Sequence, residues 1–143
     1  MNLNKGVIFC WALVVLAGGF MLLGPTPGGG NQDKAVKATV DGYVRAFAAG
    51  NGKAACDSLT DSAREAVAAM GKKIGATDCP SAMVKTRQIG GKQVRSIAQK
   101  IRVRKVDVDG GRAKVTLRAA GQDSVAELER TEKGWKISSL PKA

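Results

Sequence analysis

The stretch Arg95 to Leu140 reads RSIAQKIRVRKVDVDGGRAKVTLRAAGQDSVAELERTEKGWKISSL and decides the fold class. Its short runs alternate apolar and polar residues, and Asp109-Gly110-Gly111, Gly121-Gln122-Asp123 and Glu132-Lys133-Gly134 punctuate them as turns, so three or four antiparallel strands are expected. In the second run Ala113, Val115, Leu117 and Ala119 point one way, while Arg112, Lys114, Thr116 and Arg118 point the other. The first run slips phase: Ile101 and Val103 agree with each other, and Val106 and Val108 agree with each other, but the two pairs do not. A bulge at Arg104-Lys105 restores a single apolar face and bends the sheet. The third run carries Val125, Ala126 and Leu128 among Glu127, Glu129 and Arg130, and the last brings Trp135 and Ile137 inward. A meander of this kind is half-buried, so helices from earlier in the chain must cover its apolar face.

Those helices are legible upstream. Asp33 is a candidate N-cap for a helix whose stripe is Val36, Val40, Tyr43, Val44 and Phe47, with Asp41 and Arg45 paired on the outer side. Ala49-Gly50-Asn51-Gly52 ends it. Lys53 to Leu59 reads as a short second helix presenting Ala55, Cys56 and Leu59 inward. Ser62-Ala63-Arg64-Glu65 has capping-box spacing for a third, with Ala63, Val67 and Met70 on one face and Gly71 and Gly75 closing it. Asp78-Cys79-Pro80 opens a further helical turn through Met83 and Val84. The expected class is α+β: three to four helices packed on a curved antiparallel sheet, forming a cone-like domain over residues 33 to 143.

Ahead of that domain, Gly6 to Leu23 is an uncharged run rich in Val, Leu, Ile and Phe. Its Leu, Ile, Val and Phe residues favour bilayer insertion by about 3 to 6 kcal/mol, so residues 1 to 24 read as an uncleaved signal anchor and single transmembrane helix. Cleavage after Ala17-Gly18-Gly19 would instead leave Phe20-Met21-Leu22-Leu23 as an exposed terminus and a secreted domain. Cys10, in the middle of the run, serves as an apolar filler. Residues 25 to 32, beginning Pro25-Thr26-Pro27-Gly28-Gly29-Gly30, have linker composition. Cys56 and Cys79 are the two cysteines of the domain. They are either small buried hydrophobes or a disulfide, and the export segment favours the disulfide, which would place the domain on the outer side of the membrane. Closing that loop would stabilise the fold by about 3 kcal/mol in the chain-entropy treatment.

Of the 23 Lys and Arg only Lys5 precedes Asp33, whereas all 12 acidic residues lie from Asp33 onward. The domain is therefore basic, which favours polyanionic partners. There is no histidine, so the commonest general base and metal ligand is missing, and two thiols alone cannot complete a zinc site. Neither metal nor cofactor is expected.

VDGYVRAFAAGNGKAAC in Val40 to Cys56, DGGRAKV in Asp109 to Val115 and GWKI in Gly134 to Ile137, following helices and leading into a meander, resemble small exported bacterial members of the nuclear-transport-factor-2-like superfamily. The resemblance implies a pocket between the sheet and the long first helix, a homodimer through the sheet, and functions ranging from isomerases to domains that only bind. Enzymes of that kind use Asp, Tyr or His in the pocket. Here Tyr43 is the only tyrosine, and Asp33, Asp109 and Asp123 belong to caps or turns, so binding rather than catalysis is expected. Tyr43 and Trp135 are the candidate pocket residues; their bland alternative is ordinary core. Arg102, Arg104, Arg112, Lys114 and Arg118 are a candidate face for an anionic envelope polymer or protein, against the alternative of a solvated face. No aromatic is interleaved with them, which disfavours nucleic acid. Three functions are thus in view: a membrane-tethered extracytoplasmic binding domain, a scaffold subunit of a secretion or conjugation assembly, and an isomerase-like enzyme.

Overall fold

In a computed structural model, residues 30 to 141 are described, and the anchor expected over residues 1 to 24 and the first part of the linker lie outside them. Helix α1 spans Gly30–Ala49, α2 Gly52–Asp57, α3 Asp61–Lys72 and α4 Cys79–Lys100. Strands β1 (Arg102–Asp109), β2 (Arg112–Ala119), β3 (Gln122–Thr131) and β4 (Gly134–Ser139) follow in one antiparallel sheet of order β1-β2-β3-β4. The α+β class with four helices and a four-stranded meander agrees with the sequence reading. No helix of the described residues is long and apolar enough to cross a membrane.

α1 begins a turn earlier than its expected cap, so Asp33 lies inside the first turn, where its carboxylate faces the positive end of the helix dipole. The helix ends in a Schellman motif: Gly50 adopts φ +79°, its N–H donates to Phe47 O and the Asn51 N–H donates to Ala46 O. Val36 and Val40 are buried and join Val115, Leu128 and Ile137 in one core, with Tyr43, Val44 and Phe47 packed beside them. Thr39 Oγ1 also bonds Trp135 O at 3.3 Å, tying α1 to β4. The Asp41–Arg45 pair expected from their spacing is not among the ion pairs of the described residues.

Asn51 caps α2 by accepting from Ala54 N, and Ala55, Cys56 and Leu59 are buried as their phase requires. The cap of α3 is Thr60, two residues before the expected Ser62 motif, and accepts from Ala63 N. Ala63 and Val67 face inward, but Met70 is 61 % exposed; Gly71 takes the inward position instead. A Cβ on Gly71 would stand 2.5 Å from that of Ala82, so only glycine lets α3 approach α4 this closely.

α4 is the largest departure from expectation. Asp78 and Ser81 form a reciprocal capping box with Pro80 in the first turn, and the helix then runs far past Val84, through the segment Arg95 to Lys100 that reads as a strand. Gly91 interrupts it with φ +54° and ψ −138°, a conformation reserved for glycine, and the helix resumes beyond this kink. In the sheet, the bulge expected at Arg104-Lys105 is present: Val103 pairs with Leu117, and the next pair is Lys105 with Thr116. A second register shift, opposite Glu127-Leu128, falls in β4 at Ser138.

Candidate functional site

An open apolar cleft of about 340 Å³ lies between the second half of α1, the part of α4 beyond Gly91, and the inner face of the sheet. α1 contributes Val40, Tyr43, Val44 and Phe47, α4 contributes Val94, Ile97 and Ala98, and β2, β3 and β4 contribute Leu117, Ala126 and Ile137. Leu140 and Pro141 close one side. Tyr43 and Ser124 are the only polar side chains on its wall. An apolar concavity with one or two polar groups is the usual character of a small-ligand site.

Tyr43 sits as the first helix dictates, three positions from Val40 and four from Phe47, whose ring it stacks on at 6.3 Å between centroids. Its hydroxyl donates to Met83 Sδ at 3.7 Å. Burial pushes its pKa up to about 12, because the phenolate would have to form among apolar neighbours. At neutral pH it is a fixed hydroxyl in an apolar wall. No other ionisable side chain lines the cleft, and no group of three or more His, Cys, Asp or Glu able to hold a metal occurs among the described residues.

Trp135 takes the other reading set out for it. It is 8 % exposed within the core and is not part of the cleft wall. The signal for this is its register opposite Arg130 at the far end of the sheet, which strand phase alone does not reveal. Conversely Val94, Ile97 and Ala98 line the cleft unforeseen, because Ile97 and Ala98 lie in a segment that reads as a strand and Val94 just before it. Cys56 and Cys79 form a disulfide, with Cα atoms 6.2 Å apart and both residues buried.

The five cations expected to make a basic face are placed by the register into a mixed lattice. Arg112 lies between Asp109 and Glu129, and Lys114 between Asp107 and Glu127. Arg118 forms a two-point ion pair with Asp123, at 2.7 and 3.0 Å, which holds the Asp123 carboxyl below its usual range. Lys105 pairs with Asp107 at 3.3 Å. Arg104 sits at the bulge, and Arg102 turns to the end of α4, where Nη1 donates to Gln99 O and Ile101 O. Arg112, Lys114 and Arg118 thus meet acids across the register, whereas Arg102 stands opposite Arg118 and Arg104 has no partner strand residue at the bulge.

No protein-family model matches the chain, and comparison with curated proteins and with solved structures returns no match. The nuclear-transport-factor-2-like resemblance rests on the chain's own motifs.

Proposed function

We propose that this is a non-catalytic binding domain, tethered on the outer side of a membrane, whose ligand site is the cleft under α1. The observation that carries the reading is the character of the cleft wall: about 340 Å³ bounded by Val, Ile, Leu, Ala and Phe, with Tyr43 as its one ionisable group. Acid–base chemistry needs a group that exchanges protons near the working pH. A phenol held at about 12 is instead suited to orienting a bound molecule through a hydrogen bond. The buried Cys56–Cys79 disulfide supports an oxidising compartment. The order of helices then meander, with a cleft between the first helix and the sheet, supports kinship with nuclear-transport-factor-2-like binding domains.

The test uses a neutral apolar fluorophore such as N-phenyl-1-naphthylamine, read by its emission on addition to the protein. Ala119→Phe, placed on the half-buried edge of the cleft, should fill it and weaken binding at least tenfold, about 1.4 kcal/mol, with the melting temperature held. Unchanged affinity in that variant would remove the cleft as the site.

A further inference from the structure

The apolar cleft has a polar neighbour. A second cavity, of about 420 Å³, adjoins it along Val44, Ala98 and Ile101, which line both. Its wall carries Lys37, Arg45 and Arg102 against one carboxylate, Asp41. The helical period explains the arrangement: Val40, Tyr43 and Phe47 form one stripe of α1, Lys37, Asp41 and Arg45 form the next, and Val44 stands on the border between them. Arg102 is anchored at this border by its bonds to Gln99 O and Ile101 O, 2.8 and 2.9 Å, which fix a guanidinium beside the end of α4. On the outer face of the sheet Arg112, Lys114 and Arg118 meet acids across the register, whereas this cavity sets three cations against one carboxylate.

We infer that the site takes a single-chain amphiphile with an anionic head group, its chain in the apolar cleft and its carboxylate or phosphate among Lys37, Arg45 and Arg102. The inference rests on the cleft being the ligand site and adds the chemistry of the ligand. A neutral apolar molecule would gain nothing from the cationic wall, and a cationic amphiphile would be repelled by it. Each methylene added to the chain should tighten binding about fourfold until the cleft is full. A charge-assisted contact to the head group should add about tenfold or more.

The experiment is photolabelling of the full-length protein in zwitterionic nanodiscs with a fatty acid bearing a diazirine at the chain end, the adduct being mapped by mass spectrometry. The expected adducts fall on Leu117, Ala126 or Ile137, and palmitate or 1-palmitoyl-lysophosphatidate suppresses them at least about tenfold better than hexadecanol. The better of the two anions identifies the head group as carboxylate or phosphate. The exposed double variant K37E/R45E should erase the preference while still accepting the label. Equal suppression by palmitate and hexadecanol, with the adduct still in the cleft, would overturn the anionic head group and leave the apolar site standing. Adducts only outside the cleft would overturn both.

Discussion

The two ends of the helical layer are built to opposite rules, although α4 runs through both. At the end holding the disulfide, small residues let backbones touch: a Cβ on Gly52 would lie 2.3 Å from Pro80 O, and Gly71 packs on Ala82. Cys56 and Cys79 are 3 % and 6 % exposed there, and Arg64 Nε closes the layer by donating to Cys56 O at 2.8 Å. Beyond Gly91 the same helix lines the open cleft with Val94, Ile97 and Ala98, and Ile97 remains 39 % exposed. A well-packed interior leaves few voids larger than a water molecule, and the open apolar cleft departs from that density. The difference teaches that close packing and open space are kept apart: the clamped end is tightly packed, and the kinked end holds the opening.

The largest expected effect breaks the clamp. Replacing both cysteines, Cys56→Ser with Cys79→Ser, should cost about 2 to 5 kcal/mol in urea denaturation. The surviving folded fraction should bind the neutral fluorophore with unchanged affinity, since neither cysteine lines the cleft. Loss of affinity equal to the loss of stability would show that the two ends are one unit.

Of similar size is the contrast between the core under the sheet and the α4 wall of the cleft. Leu128→Ala, at a side chain 1 % exposed, should destabilise by about 2 to 5 kcal/mol. Ile97→Ala should cost below about 1 kcal/mol, because the space it leaves already opens to solvent, yet it should weaken ligand binding. The pair of denaturation midpoints checks this, and equal costs would mean the cleft is closed in solution.

A third effect sharpens the view of the cleft wall. Tyr43 is the only tyrosine, so absorbance near 295 nm during an alkaline titration reports it alone. The midpoint should fall near 12 rather than 10. Because the folded value is raised, the unfolded chain loses its proton first. The associated stabilisation, about 2 to 3 kcal/mol, is therefore complete below pH 10 and is lost as pH rises toward 12. A midpoint at the ordinary tyrosine value would mean that water reaches the hydroxyl.

The sheet was legible because strand signals are local. The period of two in Arg112 to Ala119 and the phase slip at Arg104-Lys105 both correspond to observed features. α4 was not, for a local reason as well: Gly90-Gly91-Lys92-Gln93 interrupts the apolar period and carries two residues that oppose helix, so Arg95 to Lys100 joins the strand pattern after it. The α4 part of the cleft wall is thereby hidden, since Ile97 and Ala98 come from that segment and Val94 borders it. Tyr43 was found through the α1 stripe. The charges were legible only strand by strand. Counting cations along β1 and β2 cannot show that β3 sets Glu127 and Glu129 beside Lys114 and Arg112, because register is a property of pairing and not of either strand.

Hydrogen exchange with the neutral fluorophore bound tests the central claim most directly. Added slow exchange should appear in α1 from Val40 to Phe47 and from Val94 in α4 to Ile101 just past its end, with α2, α3 and the segment around Cys79 unchanged. Protection confined to the outer face of the sheet, or spread evenly over both ends of the helical layer, would contradict a binding cleft set apart from the disulfide-clamped core.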